Sequence, residues 1–255
     1  MSKQRVAVFN CKGGVGKTTT TLNLGAAIER AGGLCRLIDL DPQAHLTRIF
    51  DKLPKEPETS AFALYSNTSS VLNLEHDIPP VGKLVPAHGN LMKADSVFGK
   101  GPAVLNRLRM TLDAADLSDP RTTLIDCCPF LGVLSISAVF VADLVLIPVS
   151  ADFMSMQGAH QIAHALDALE PVLKRRVPRR FLLTRFDRRR KMCTEVRLQM
   201  VQHYTTDVCE TLIHENTAVA TSPSLRQDIF TYQPTCSGAK EYEELYHELK
   251  LSQLL

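Results

Sequence analysis

The sequence predicts an α/β fold in which a mainly parallel, twisted β-sheet carries helices on both faces. Two observations support this prediction. The chain has 255 residues, of which 45% are hydrophobic and 22% charged, a composition typical of a globular protein with a substantial core. Short apolar, β-branched runs alternate with longer helical patterns from end to end. In addition, no unbroken apolar run is long enough to span a membrane.

The alternation places strands and helices in order along the chain. Strands are predicted at residues 6–9, 34–39, 83–86, 123–126, 144–148, 180–184 and 208–213. Helices are predicted near residues 18–31, 42–50, 102–115, 133–141, 155–173, 192–203 and 238–250. We expect a single domain over residues 1–255, with a proline-punctuated, polar stretch at about 52–82 that forms a surface excursion.

The N-terminus and the cysteines favour a cytoplasmic protein. Only four apolar residues precede Asn10, too few for the hydrophobic segment of a secretory leader. The seven cysteines form an odd set without a CxxC pair, which favours reduced thiols over a disulfide framework or a zinc site. We interpret most of them as small buried hydrophobic residues.

A glycine-rich loop separates the first predicted strand from the first predicted helix. It runs from Cys11 to Thr19 with the sequence C-K-G-G-V-G-K-T-T. The backbone N–H groups of such a loop and the positive end of the helix dipole bind anions. Lys17 would reach the β- and γ-phosphates of a nucleotide, and the Thr18 hydroxyl would ligate Mg²⁺. The pattern therefore predicts a nucleoside triphosphate site, with cysteine at position 11 where the ordinary motif has glycine.

Two other predicted strands end in carboxylates. Asp39 ends the second strand and Asp41 lies two residues further on, and Asp126 ends the strand at 123–126. Parallel α/β sheets bind ligands at the carboxyl ends of their strands, so these groups are expected beside the glycine-rich loop. Asp41 also has a structural interpretation as the cap of a helix that starts at Pro42, and the two roles are compatible.

Together these segments resemble the deviant Walker-A ATPases, the family of the ParA partition proteins and of the Min-system membrane ATPase. The resemblance covers almost the whole chain and rests on Lys12 in the glycine-rich loop, on the segment from Asp39 to Gln43, and on the run from Thr123 to Gly132. It implies a P-loop NTPase fold with ATP and Mg²⁺ as cofactors. The expected activity is slow ATP hydrolysis stimulated by a partner protein.

The same resemblance implies a role for each motif residue. Catalytic roles fall to Lys12, Lys17 and Asp41, and the metal is held by Thr18, Asp39 and Asp126. Lys12 would cross to the nucleotide of a facing subunit, which implies an ATP-dependent homodimer; a solvated loop charge is the other interpretation. The expected nucleotide contacts are Lys12, Gly13, Gly14, Val15, Gly16, Lys17, Thr18 and Thr19, with Thr184 approaching the base.

The charge is distributed unevenly along the chain. The whole sequence carries +2, yet residues 174–197 hold eleven basic and two acidic residues, a net +9. This asymmetry predicts one basic face able to meet a polyanion, although a solvated helix and loop would give the same pattern. ParA-type proteins bind double-stranded DNA without sequence preference, so the resemblance implies DNA contacts by Arg185, Arg188, Arg189, Arg190, Lys191 and Arg197.

Two departures and two alternatives accompany this hypothesis. Cys128 stands where relatives usually carry a proline, and Glu215 and Ala218 stand where they usually carry arginines. The first alternative is a nucleotide-switched protein scaffold or spatial regulator that does not bind DNA. The second is a metabolic ligase or kinase on the same fold, which Lys12 and the Asp41-Pro42-Gln43 segment disfavour.

A Min-type membrane ATPase is disfavoured by the C-terminal helix. Its apolar stripe is flanked by glutamates, which anionic lipid repels, so we expect the stripe to dock on the domain and no membrane attachment. The expected protein is thus an ATP-dependent, dimerising ATPase in the cytoplasm, associated with the nucleoid. It would segregate or position a plasmid, a chromosome region or a protein cargo, and a ParB-like or adaptor protein would release it by stimulating hydrolysis.

Overall fold

The computed structural model describes residues 4–66, 68–99 and 101–255. The strands in these ranges are β1 (Arg5–Val8), β2 (Cys35–Asp39), β3 (His76–Asp77), β4 (Lys83–Val85), β5 (Thr122–Asp126), β6 (Leu144–Ser150) and β7 (Arg179–Thr184). They form one seven-stranded sheet in the order β3-β4-β2-β5-β1-β6-β7. Neighbouring strands are parallel except β3, which is antiparallel to β4. The predicted α/β class with a mainly parallel sheet is confirmed.

Helices cover both faces of this sheet. They are α1 (Lys17–Arg30), α2 (His45–Ile49), α3 (Phe62–Ser66), α4 (Val71–Leu74), α5 (Ala94–Phe98), α6 (Pro102–Ser118), α7 (Val133–Val141), α8 (Phe153–Leu173), α9 (Lys191–Tyr204), α10 (Thr217–Thr221), α11 (Ile229–Tyr232) and α12 (Ser237–Leu251). Short 3₁₀ helices lie at Pro57–Thr59, Gly89–Lys93, Thr205–Asp207 and Ser222–Leu225.

Alternation of side chains along the strands divides the core in two. In and just after β1, Ala7 and Phe9 pack into the core under α3 to α9, whereas Val6 and Val8 pack into the core under α1, α2 and α10 to α12. A strand has a side-chain period of two, so both cores draw on every central strand. The central strands are consequently apolar on both faces, as the sequence pattern indicated.

The predicted strand at 208–213 is wrong. The segment contacts β7 at an isolated bridge between Val208 and Phe181 and through the Ile213 N–H, which donates to the Leu183 carbonyl at 2.9 Å. A second isolated bridge joins His214 to Phe186, just beyond the segment. The carboxylate of Glu248 on α12 accepts the backbone N–H groups of Glu210 and Thr211 at 2.8 and 2.9 Å. These two donors are therefore taken by a side chain and do not extend a ladder along β7.

The stretch at 52–82 is built into the fold more deeply than a surface excursion. Helix α3 buries Leu64 and Tyr65, and the Tyr65 hydroxyl lies 2.5 Å from the Ser137 hydroxyl on α7. Helix α4 buries Val71 in the same core, and β3 extends the sheet edge. The helices are too short to show a helical period in the sequence, which is why this burial was not predicted. Asn67 of this stretch lies outside the described residues.

The C-terminal helix α12 docks on the domain, as predicted. Its apolar stripe, formed by Tyr242, Leu245, Tyr246 and Leu249, is buried in the core that α1 shares. The Tyr242 hydroxyl lies 3.5 Å from the Thr20 hydroxyl on α1. Within the ranges described, no helix has the length and apolar character that crossing a bilayer requires.

Candidate functional site

The phosphate loop, residues 11–16, lies at the carboxyl edge of the sheet between β1 and α1. Gly14 and Gly16 have φ angles of 75° and 92°, a left-handed conformation that glycine adopts without a Cβ clash. Gly16 is also the N-cap of α1, where no side chain of the described residues caps the helix. The first-turn N–H groups of α1 are therefore left for an anion, which is the arrangement that the sequence predicted.

The side chains that follow the loop line a cavity of about 660 Å³. Lys17, Thr18 and Thr19 border it together with Gly13, Gly14 and Gly16, and Val15 anchors the loop because it is fully buried. Lys17 is only 7% exposed, and its Nζ donates to the Lys12 carbonyl at 3.0 Å. A cavity of this volume is in the range of small-molecule and cofactor sites.

The carboxyl group of Asp126 suits the predicted magnesium site. It ends β5, next to β1, and its Oδ2 accepts the Thr18 hydroxyl at 2.7 Å. Its Oδ1 is buried and has no hydrogen-bond partner among the described residues. Burial, together with the charge of Asp39, raises the pKa of Asp126 well above its ordinary value. A hard cation would satisfy the unpaired oxygen and favour the ionised carboxylate, so Thr18 and Asp126 fit Mg²⁺.

Asp39 and Asp41 lie beside this pair but differ in their partners. Asp39 is fully buried; its Oδ1 accepts the Asp41 N–H at 3.0 Å, and its Oδ2 accepts the Thr47 N–H and hydroxyl at 2.9 and 2.7 Å. It thus anchors the segment that leads into α2, and its part in the metal shell stays a prediction. Asp41 lines the 660 Å³ cavity, and its Oδ1 accepts the Gln43 N–H at 2.9 Å.

Lys12, the second lysine of the phosphate loop, is held by its own chain. Its Nζ donates to Asp152 Oδ1 at 2.9 Å and to Ser155 Oγ at 2.7 Å, at the start of α8. Partial burial raises the pKa of Asp152, but the hydrogen bonds from Lys12 and Ser155 outweigh it and lower the pKa to about 2. Contact of Lys12 with a facing nucleotide stays a prediction, and Asp152 was not identified from the sequence.

A second cavity of about 290 Å³ adjoins the first at the loop glycines and Thr19. Thr184, the last residue of β7, lines this cavity, and its buried hydroxyl donates to the Val15 carbonyl at 2.9 Å. Thr184 therefore braces the phosphate loop from behind. The cavity that it lines has room for a ligand beside the loop. Its contact with a nucleotide base stays a prediction.

Other residues that shape the site were missed by the sequence reasoning. Asn10 donates from Nδ2 to the Pro148 carbonyl at 2.7 Å and accepts the Lys12 N–H at 2.8 Å, so it holds the phosphate loop against β6. Its position between strand and loop is a signal that could have found it. Arg48 and Arg226 line the 660 Å³ cavity. Arg226 is far from the motifs in the chain, so only the folded structure reveals its place.

The prediction that the basic segment forms one face is wrong. Residues 174–176 precede the six-residue strand β7 and residues 185–191 follow it, so the two groups lie at opposite edges of the sheet. At about 3.3 Å per residue, the strand separates them by roughly 20 Å. Within the strand, Arg179 is buried and paired with Asp167 and Glu170 at 2.7 and 3.0 Å. Part of the charge is thus structural.

The six predicted DNA contacts are exposed and follow β7 at the edge that carries the phosphate loop. Arg197 lies on α9, and the other five already contact acidic or histidine side chains. The contacts are Arg185 with Glu215, Arg188 with His214, Arg189 and Arg190 with Asp187, and Lys191 with Glu195. Ion pairs between exposed side chains are weak because solvent screens them, so phosphate oxygens can replace these partners.

Known proteins resemble this chain over almost its whole length. A family model described as an AAA domain matches residues 3–178. The chromosome-partitioning ATPase Soj of Thermus thermophilus is 33% identical over 252 residues, covering 96% of this chain and 95% of that protein. The chromosome partitioning protein ParA of Caulobacter vibrioides is 29% identical over 248 residues, covering 96% and 92%.

Solved structures share the fold. A variant of McdA from Cyanothece, in complex with ATP, has a TM-score of 0.86 at 17% identity, with 98% of each chain covered. A plasmid partition protein from Borrelia burgdorferi has a TM-score of 0.79 at 19% identity, covering 99% of this chain and 100% of that one. Cobyrinic acid a,c-diamide synthase from Mycobacterium smegmatis, with bound ATP analog and magnesium, has a TM-score of 0.83 at 25% identity, covering 98% and 96%.

The family model covers more than half of the chain, and the Thermus relative exceeds 30% identity across almost all of it. The phosphate loop, the carboxylates at the strand ends and the sheet order fit that assignment. The chain therefore belongs to the ParA/MinD-type P-loop ATPases and hydrolyses ATP, with ATP and Mg²⁺ as its cofactors.

Proposed function

We propose that this partition-type ATPase dimerises when it binds ATP, holds double-stranded DNA without sequence preference, and positions a plasmid, a chromosome region or a protein cargo. Hydrolysis stimulated by a ParB-like or adaptor protein would release it. The observation that carries the proposal is that exposed basic residues follow β7 at the same sheet edge as the phosphate loop, namely Arg185, Arg188, Arg189, Arg190 and Lys191. In the cytoplasm, the ATP-bound dimer would be associated with the nucleoid.

The chemistry falls to residues around the 660 Å³ cavity. Lys17 neutralises the β- and γ-phosphates, and the loop N–H groups orient them. Thr18 and Asp126 would hold Mg²⁺, which would supply further neutralisation of phosphate charge when bound. Asp41, a cavity-lining carboxylate whose Oδ1 is oriented by the Gln43 N–H, accepts a hydrogen bond from the attacking water.

A short path joins the nucleotide site to the basic surface. The Thr184 hydroxyl donates a hydrogen bond to the Val15 carbonyl of the phosphate loop, and Arg185, the next residue, forms an ion pair with Glu215 at 3.1 Å. Both Arg185 and Glu215 line the 290 Å³ cavity beside the loop. A nucleotide that fills this cavity would meet the Arg185–Glu215 pair directly, which supports a link between nucleotide state and the exposure of the basic residues.

Binding of nonspecific duplex DNA at two salt concentrations tests the proposal. We expect binding only with ATP and Mg²⁺, and weaker binding at higher salt because phosphate contacts release counterions. The double variant Arg188→Glu/Arg189→Glu should weaken binding at least about tenfold, since it replaces two phosphate contacts by repulsion. The matched control Lys174→Glu/Arg176→Glu changes the charge equally at the opposite edge of the sheet and should have a much smaller effect.

A nucleotide-switched protein scaffold is the second candidate. Glu215 favours it, because this acid neutralises Arg185 at a position where the family resemblance leads us to expect an arginine. ATP-dependent dimers that bind no DNA at either salt concentration would support the scaffold and contradict the DNA-binding proposal. Equal loss of binding in both double variants would contradict the assigned surface.

A further inference from the structure

Arg226 borders the nucleotide cavity from a segment that the motifs do not include. It follows the 3₁₀ helix Ser222–Leu225 and lines the 660 Å³ cavity with Lys17 and Asp41. Its φ angle is 60°, a left-handed conformation in which glycine is the usual residue at a helix end. An arginine that keeps this conformation beside a ligand cavity points to a functional constraint.

The segment facing Arg226 has the same unusual backbone. Helix α2, whose His45, Arg48 and Ile49 line the cavity, is bounded by Ala44 and Asp51 with φ angles of 55° and 56°. Arg226 Nη1 lies 2.9 Å from Asp51 Oδ2 and so links the 3₁₀ helix to the end of α2.

This ion pair is easily exchanged. The side chains of Arg226 and Asp51 are 61% and 71% exposed, and pairs at such exposure contribute little to stability. A phosphate group offers a guanidinium a bidentate, doubly charged partner in place of one surface carboxylate.

The charge of the cavity favours the same exchange. Among the residues that the structure describes, its lining carries three cationic side chains, Lys17, Arg48 and Arg226, and one carboxylate, that of Asp41. Of these three cations, only Lys17 belongs to the phosphate-loop motif. The other two cations therefore extend the positive surface beyond the loop, where a polyphosphate gains from their charge.

We propose that Arg226 is a further phosphate-binding residue of the nucleotide site. When a nucleotide binds, the guanidinium breaks its contact with Asp51 and contacts the phosphates. The inference rests on the nucleotide site described above and extends it to a residue outside the phosphate loop. Asp51 then acts as a resting partner that holds the guanidinium near the cavity when no nucleotide is bound.

The two left-handed positions allow a matched pair of substitutions. Glycine adopts positive φ freely, so Arg226→Gly and Asp51→Gly both remove one partner of the ion pair without imposing backbone strain. We expect Arg226→Gly to weaken MgATP binding, measured by titration calorimetry, about tenfold through loss of a charge-assisted contact. Asp51→Gly should leave it unchanged or tighten it, because it frees the guanidinium. Melting temperatures of both variants verify folding.

Two more variants complete the experiment. Arg226→Lys should recover part of the affinity, because it retains the charge but not the bidentate geometry of the guanidinium. Lys52→Gln removes a neighbouring positive charge that does not line the cavity, and it should bind MgATP like the wild-type chain. Unchanged affinity in Arg226→Gly, or an equal loss in Asp51→Gly, would overturn the inference. Wild-type protein that binds no MgATP would overturn the nucleotide site as well, which is a distinguishable result.

Discussion

Burial and hydrogen-bond partners shift the pKa values of the carboxylates around the phosphate loop in opposite directions. Asp39 is buried, which raises its pKa to about 6 despite hydrogen bonds from Thr47 and Asp41. Asp152 is a contrasting case, because hydrogen bonds from Lys12 and Ser155 lower its pKa to about 2. Burial thus favours the protonated form of Asp39, whereas hydrogen bonds from a lysine and a serine stabilise the ionised form of Asp152.

Asp152→Asn tests the contact that holds Lys12. Because the folded pKa of Asp152 is lowered, its ionised form stabilises the fold above pH 4, and this contribution is lost as the pH falls towards 2. The side chain is 38% exposed, so we discount the effect for solvent screening and expect a loss of about 1 kcal/mol at pH 7. Urea unfolding at pH 7 and pH 3 measures it.

Asparagine is a suitable replacement because it also caps helices, so the start of α8 is retained. The difference in unfolding free energy between wild type and variant should shrink at pH 3. A difference that is equal at both pH values would show that the Lys12–Asp152 charge pair does not contribute.

Buried ion pairs of Arg36 join strand β2 to the end of α4 and to helix α6. Arg36 of β2 is fully buried; its Nε contacts Glu75 after α4, and its Nη1 lies 3.3 Å from Asp116 Oδ1 on α6. One guanidinium therefore connects the interior strand β2, the 52–82 stretch and a helix on one face. This connection explains why that stretch is ordered into the fold although its sequence is polar and rich in prolines.

Arg36→Met should destabilise the protein strongly. The substitution removes the buried cation that Glu75 and Asp116 share, and it leaves Glu75 with Lys83 and Asp116 with Arg5. Breaking a buried charge pair costs about 3–5 kcal/mol, and these remaining cations place the expected cost at the lower end of that range. Urea unfolding measures the change. Arg176→Met, which removes an arginine that is 72% exposed and 3.7 Å from Asp207, is the control and should cost less than about 1 kcal/mol. Equal costs would contradict the role assigned to Arg36.

The whole molecule concentrates its chemistry at one edge of the sheet. Strands β1, β2, β5 and β7 end there with the phosphate loop, Asp39, Asp126 and Thr184. The carboxyl ends of parallel strands lie at the same edge of the sheet, so residues that are distant in sequence come close together there. The arginines after β7 extend the same edge, which supports an ATPase whose nucleotide state controls a binding surface.

Asp41→Ala is expected to accumulate as an ATP-bound dimer. The substitution removes the carboxylate proposed to orient water but none of the proposed phosphate or metal contacts, so ATP binds and persists. Light scattering coupled to size exclusion measures the mass with ATP and Mg²⁺, and with ADP as control. The double variant Lys12→Ala/Asp41→Ala should remain monomeric, since Lys12 is the proposed contact across the dimer. A monomeric Asp41→Ala chain with ATP would contradict the proposed switch.

Local sequence features determined most of the fold and the centre of the site. The phosphate loop is predictable because strand, glycines, Lys17 and Thr18 are contiguous, and the spacing of these residues alone specifies an anion site. Asp39 and Asp126 follow for the same reason, since each ends an apolar strand. The long helices and central strands also show their periods directly in the sequence.

Only the tertiary structure decided those features that depend on contacts between residues distant in the chain. The segment at 208–213 is apolar enough for a strand, yet Glu248 takes two of its backbone donors. The basic run divides between two sheet edges because β7 lies within it. Asp152 and Arg226 join the site only through packing of α8 and of the 3₁₀ helix beside α2. A side chain's partners are set by where elements pack, and local residue patterns carry no record of that placement.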